Sequence, residues 1–418
     1  MKFENNIDFA MQLDSNDPLH SYRMKFHVPK TAEGKDVIYF AGNSLGLQPK
    51  TVRAFVEQEL LDWEKMGVEG HMLAKYPWLP YHEFLTAQTA MLVGAKPDEV
   101  VHMNSLTVNL HLMMVSFYRP TKERNKILIE ANAFPSDHYA VQSQIKFHGY
   151  DPAECLMEMN PRDGEVTIRT EDLLDRIEKE GDSIALVMFA GVNYYTGQAF
   201  DLEKITAAAH KKGCMVGFDL AHAAGNLKLE LHKWECDFAV WCSYKYLNGG
   251  PGAIAGAFVH QKHLLDMTIP KFWGWWGQDK ATRFLMGHNY QPIPTVESWQ
   301  LSNPPILQLA ALRASLDIFD EAGMDALRAK SEMLTGFAEY LINENNNGNI
   351  EIITPAAASE RGCQLSIRAK QSGKALHSRL NDAGVICDWR EPDVIRIAPV
   401  PLYNTFEDVW NFVRLLFT

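Results

Sequence analysis

The stretch "WCSYKYLNGGPGAIAGAF", residues 241–258, sets one lysine, Lys245, between two tyrosines and just before a glycine-rich turn. The run 237–243, "DFAVWCS", is apolar and short enough for a buried strand, and "AIAGAFV" beyond the turn predicts another. Lysine ordinarily lies on a solvated surface. Here the pattern puts it at the mouth of a sheet, where partial desolvation lowers an amine's pKa and makes it a nucleophile or Schiff-base former.

Upstream, apolar runs alternate with helical patterns. "KILIEA" (126–131) precedes a helix beginning near Ser136, and "IALVMFA" (184–190) precedes "DLEKITAAAHKKG", capped by Asp201 and ended by Gly213. Then come "CMVGFDL" (214–220) and "DFAVWCS". Strands separated by helices predict an α/β domain with a mainly parallel sheet covered on both faces. After Pro304 the pattern changes. Helices are predicted over 305–321 and 325–344, "NENNNGN" (343–349) reads as a turn, and the short strands "IEIIT", "CQLSIRA", "VICD" and "VIRIA" lead to the helix "FEDVWNFVRLLF". That predicts a smaller α+β C-terminal domain. The expected division is an N-terminal segment 1–50 packing with the small domain, a large domain 51–304 and a small domain 305–418.

The 418 residues suffice for such a pair of cores, and 46% hydrophobic with 22% charged residues is ordinary for a globular protein. A formal net charge of −12 argues against a nucleic-acid partner and gives no support to an anionic membrane surface. No apolar stretch approaches the roughly 20 residues of a membrane span. The cysteines at 155, 214, 236, 242, 363 and 387 form no CxxC pair, so reduced core thiols in a cytoplasmic protein are expected, with no metal site.

Several residues give Lys245 chemical company. Asp219 ends the apolar strand in "VGFDLAHAAG"; a carboxylate there needs a cation or donors. Beside a strand-end lysine it suits pyridoxal phosphate (PLP), whose ring nitrogen needs a carboxylate partner. In "NSLTVNLHL" (104–112), Ser105, Thr107 and Asn109 open a helix, where hydroxyls and free N–H groups suit a phosphate. In "AFPSDHYA" (133–140), Phe134 follows a strand, where an aromatic ring can stack on a planar cofactor. "GGPG" (249–252) lacks the spacing of a nucleotide-binding loop.

Together, "YFAGNSLGLQPK", "LTVNLHL", "AFPSDHYA", "YYTGQ", "KKGCMVGFDLAHAAGN", "WCSYKYLNGGPG", "LSNPPIL", "ERGCQLSI" and "IRIAPVPLYN" resemble the kynureninase family over most of the chain. The resemblance implies the aspartate-aminotransferase-like fold (PLP fold type I) and hydrolytic Cβ–Cγ cleavage of L-kynurenine, 3-hydroxy-L-kynurenine or both, giving the anthranilate and L-alanine. Tryptophan degradation or NAD biosynthesis is the implied setting. It also implies that Lys245 carries PLP and moves the α-proton, that Asp219 pairs with the ring nitrogen and that Phe134 stacks on the ring. Leu106, Thr107, Ser136, Asp137, His222, Tyr244, Trp275 and Asn303 match further cofactor positions, and Tyr244 is the implied proton donor or acceptor. Arg396 would grip the substrate α-carboxylate, with Ser44, His71 and Asn303 near the aromatic ring. A homodimer with shared active sites is implied, Trp275 and Asn303 being candidates for supply by the second subunit. One departure is Ala190, where the family often has a hydroxyl that contacts the cofactor.

Two rival expectations stand beside this one. An aminotransferase or cysteine desulfurase would share the lysine and aspartate, and a desulfurase would need a mobile cysteine, for which Cys363 is poorly placed at a strand start. A catalytically silent scaffold would have lost part of the set Lys245, Asp219, Phe134 and Arg396, all of which are present.

Overall fold

In the computed structural model, which describes residues 2–418, the alternation of side chains along each apolar strand builds two cores. Ile127 and Ile129 of one strand enter one hydrophobic cluster and Leu128 the other; Leu186 and Met188 divide from Val187 and Phe189 in the same way. Successive strand side chains point to opposite faces, so a strand apolar on both faces must lie inside a sheet covered on both sides.

That sheet has seven strands: β1 (Val100–His102), β2 (Lys126–Glu130), β3 (Leu156–Met159), β4 (Ile184–Ala190), β5 (Met215–Asp219), β6 (Phe238–Trp241) and β7 (Gly256–Val259), in the order β1-β7-β6-β5-β4-β2-β3. The pairings from β3 to β6 are all parallel, and β7 runs antiparallel to both β6 and β1. Among the helices that flank it are α1 (Leu106–Phe117), which follows β1, and α2 (Pro135–Phe147), which joins β2 to β3. The carboxyl ends of β1, β2, β4, β5 and β6 therefore meet at one edge, where open α/β sheets bind ligands.

Two long helices follow. α3 (Ile306–Ala322) buries Leu309, Leu312 and Leu316 in the large core, while α4 (Met324–Asn345) buries Leu334, Phe337 and Leu341 in a separate one. This second core is closed by an antiparallel sheet of β8 (Ile350–Ile352), β9 (Leu365–Ala369), β10 (Asp388–Arg390) and β11 (Val394–Ile397), in the order β8-β9-β11-β10, and by α5 (Phe406–Phe417). The run "VICD" is not the single strand its pattern predicts. Val385–Ile386 pairs in parallel with Ile38–Tyr39, and the chain then bends so that Asp388 begins β10.

The N-terminal helix Ile7–Ser15 sends Ala10 and Leu13 into the small core. Its Asp14 carboxylate accepts from the N–H groups of Phe406 and Glu407 at 2.8 and 2.9 Å, satisfying open donors at the start of α5. Lys330 of α4 and Asp17 form a buried ion pair at 2.7 Å. The two ends of the chain are thus fastened together.

Candidate active site

Lys245 lies just past the end of β6, in a turn closed by Asn248 N–H donating to the Lys245 carbonyl (3.0 Å) and Gly249 N–H donating to the Ser243 carbonyl (2.8 Å). The segment 41–46 crosses this turn, and Gly46 N–H donates to the Tyr244 carbonyl at 2.9 Å. A Cβ on Gly46 would collide with the Lys245 carbonyl oxygen and with Asn248, so only glycine allows this approach.

The strand ends converge on a cavity with about 540 Å³ of empty space. Its lining includes Leu106, Thr107, Phe134, Ser136, Asp137, Asp219, His222, Tyr244 and Lys245, so nine residues singled out in the sequence share one wall. Lys245 Nζ is 3.0 Å from His222 Nε2 and 5.9 Å from the ring centres of both Phe134 and Tyr244. Burial holds the His222 imidazole well below its usual value, and the charges of Lys245, Arg396 and Arg390 push it further down. A neutral His222 with Nε2 unprotonated can accept a hydrogen bond from the Lys245 amine. Thr107 and Ser136 hydroxyls lie 3.0 Å apart at the starts of α1 and α2. Asn109 does not join them: its side-chain amide is buried and donates to the Met103 carbonyl at 2.8 Å.

Asp219 accepts from Ala221 N–H at 2.7 Å. Burial raises its carboxyl, opposed by that hydrogen bond and by Lys245. Burial also holds Asp137 well above the usual carboxylate range, and the facing charges of Asp219 and Glu130 add to the effect. Glu130, at the end of β2, is a pocket residue not singled out in the sequence. Burial pushes its carboxyl up to about 7, against hydrogen bonds from backbone N–H groups, its own and that of Ala190. Its signal was the one that marked Asp219: an acid ending an apolar strand. Tyr194 of the "YYTGQ" stretch also lines the cavity, edge-on to Phe134 with ring centres 5.2 Å apart. Ala190 faces the cavity with a methyl group where a hydroxyl could have stood.

The other residues singled out do not line this cavity within one chain. Arg396 is buried on β11, donates to the carbonyl of the cavity residue Tyr194 at 2.6 Å and is paired with Asp388. Ser44 is exposed, two residues before Gly46. His71 bonds through Nδ1 with the Val68 carbonyl (2.9 Å) and meets Trp78 edge-on. Trp275 and Asn303 are exposed on the irregular segment between β7 and α3.

The residues fit PLP on this structure's own terms. A buried oxygen of Asp137, Oδ1, has no hydrogen-bond partner, and the paired carboxylates of Asp137 and Asp219 suit a protonated ring nitrogen. The Lys245 amine stands between two aromatic rings, and two hydroxyls mark the helix starts suited to a phosphate. The cysteine weighed as a desulfurase nucleophile, Cys363, is buried 3.0 Å from Asn226 Oδ1, and burial pushes its thiol up to about 12; Cys242, closer to Lys245, is also buried, and burial raises its thiol too.

The architecture is that of the PLP-dependent enzymes of fold type I. A solved variant of C-DES, with glycine covalently linked to its PLP cofactor, matches at a TM-score of 0.76 and 17% identity, covering 91% of this chain and 96% of the other. At that identity the likeness concerns the fold. Sequence carries the assignment further. The protein named kynureninase from Myxococcus xanthus is 60% identical over 414 residues, covering 99% of this chain and 97% of its own length. That from Koribacter versatilis is 58% identical over 412 residues, with the same two coverages. Residues 327–416 match the family model described as the kynureninase C-terminal domain. The chain belongs to the kynureninase family.

Proposed function

We propose that the protein is a kynureninase, a PLP-dependent hydrolase that cleaves the Cβ–Cγ bond of L-kynurenine, 3-hydroxy-L-kynurenine or both to the matching anthranilate and L-alanine. The observation that carries this reading is the placement of Lys245, Asp219, Phe134, Thr107 and Ser136 around one cavity in a chain of this family. Bound PLP supplies an electron sink for the charge that develops on the substrate carbons. Lys245 is its attachment point and carries the substrate α-proton. Asp219, with Asp137 beside it, holds the ring nitrogen, Phe134 covers the ring face, and Leu106, Thr107 and Ser136 take the phosphate. His222 keeps an acceptor beside the Lys245 amine. Tyr244, whose phenol burial raises well above its usual value, holds its proton at neutral pH and can donate it to the leaving fragment. Arg396 fixes the α-carboxylate, and water adds to the γ-carbonyl before the bond breaks. Ala190 removes one cofactor contact and is expected to weaken affinity modestly.

The rest of the proposal concerns assembly and setting. Trp275, Asn303, Ser44 and His71 complete the site in a homodimer, Trp275 and Asn303 being supplied by the second copy. Exposed Phe272, Trp273, Trp275, Phe284 and Leu285 support this, since large apolar patches mark interaction surfaces. Division at 50/51 and 304/305 leaves α3 as a connector lying on the large core. Six free, buried cysteines suit a reducing cytoplasm, and no helix among the described residues is long and apolar enough to cross a membrane. Tryptophan breakdown or pyridine-nucleotide synthesis is the proposed pathway.

The test is steady-state turnover of both substrates by the PLP-loaded protein. Release of alanine and the matching anthranilate is expected, and the ratio of kcat/KM values identifies the preferred substrate. PLP binding without cleavage of either compound would reject the activity while leaving the fold intact.

A further inference from the structure

Strand β10 puts Asp388 and Arg390 on one face and sets Asp388 directly opposite Arg396 of β11. Asp388 Oδ2 accepts from Nη2 of Arg396 and lies 3.0 Å from Nη2 of Arg390. Among the described residues neither arginine has another carboxylate partner, and the Nε atom of each is buried without a partner. Two guanidinium cations therefore share one carboxylate. Water reaches Arg390, whose side chain is 36% exposed, so the incompletely neutralised buried charge is that of Arg396, and such a charge is costly unless an anion completes it. That charge lies beside the active site: Arg396 is 1% exposed, and Tyr194, whose carbonyl holds it, lines the Lys245 cavity.

We propose that Arg390 is a positioning residue for the substrate: by sharing Asp388 it leaves one net positive charge at Arg396, which the α-carboxylate of the amino-acid substrate completes. The proposal rests on Arg396 as the carboxylate grip. Without Arg390, Asp388 would neutralise Arg396 and the site would lose its attraction for an anion. Arg390 holds no reacting atom, so its loss changes binding and leaves chemistry alone.

The experiment measures kcat and KM for L-kynurenine, and Ki for L-alanine and for 2-aminoacetophenone, an aryl ketone without the amino-acid carboxylate. Visible cofactor absorbance and thermal melts confirm that each variant is loaded and folded. Arg390→Gln is expected to raise KM and the alanine Ki about tenfold, the order expected for one nearby unit charge. Its kcat and its Ki for the ketone should stay within about twofold. Arg390→Lys, which keeps the charge, should stay within about threefold of wild type in KM. The double variant Arg390→Gln/Asp388→Asn restores one net charge and should recover most of the lost affinity. Unchanged KM and alanine Ki in Arg390→Gln, Arg390→Lys as impaired as Arg390→Gln, or no recovery in the double variant would each overturn the proposal. Arg396→Gln separates the two levels: if it too leaves KM and alanine Ki unchanged, the carboxylate grip itself is elsewhere.

Discussion

The Lys245 cavity and the segment carrying Trp275 and Asn303 are built in opposite ways. The cavity is made by strand ends and helix starts: hydrogen-bond ladders fix where Glu130, Ala190 and Asp219 stand, and a hydrogen-bonded turn just past β6 fixes Lys245. The other segment runs from β7 to α3 with only short 3₁₀ turns, and Trp275 is 46% exposed. A sheet edge positions a side chain from within the chain. An irregular segment takes its place from what packs on it, and exposed aromatic residues leave that partner to be supplied.

The largest effect expected from this contrast is at the cavity. Lys245→Ala should cut turnover by roughly 10⁴-fold or more with an unchanged fold, as loss of a nucleophile does elsewhere. Residual activity within tenfold of wild type would remove Lys245 from the chemistry. The next effect bears on the surface segment. Asn303→Ala should lose roughly 10²-fold, as expected when a group that places the substrate is removed. If Asn303 acts across subunits, co-refolding Lys245→Ala with Asn303→Ala chains makes one intact site in each mixed dimer. Statistical mixing then gives about a quarter of wild-type turnover. A mixture no more active than its parents would place both residues in one chain's site and end the contrast.

Two smaller effects sharpen it. Glu130 has a folded value of about 7, against an ordinary carboxyl value near 4.3. The folded protein binds this proton more tightly than the unfolded chain. The contribution is therefore fully present below about pH 4 and is lost as pH rises through about 7, by up to about 4 kcal/mol. Urea unfolding of the cofactor-free protein should show Glu130→Gln gaining on wild type between pH 5 and pH 8. A difference independent of pH would reject burial as the cause. Far from the cavity, Asp14→Ala removes two acceptors at the start of α5, leaves the Thr405 cap in place, and should cost about 1 kcal/mol, with kcat unchanged once the protein is folded.

Much of the cavity is legible in the sequence because its signals are local. A charged residue ending an apolar run stands out, as do hydroxyls at a helix start, and the strands 184–190 and 238–241 announce themselves by composition. Glu130 carried the same mark within "KILIEA" but lacked a motif to draw attention to it. Pairings between distant segments left no local trace. Nothing in "VICD" tells that its first half pairs with Ile38–Tyr39, and nothing in "IRIAP" tells that Arg396 faces Asp388. Asn109 shows the converse: a polar residue in a helix's first turn looks like a ligand until the fold turns it toward Met103.

The central claim is that the sheet edge presents Lys245, and no other lysine, to the cofactor. Borohydride reduction of the PLP-loaded protein, followed by peptide mass mapping, tests it without relying on activity. The account predicts a stable pyridoxyl-phosphate mass on the peptide containing Lys245 alone, absent from Lys245→Ala. A label on another lysine, such as the half-buried Lys271 whose amine burial lowers to about 8, or no label at all, would contradict it.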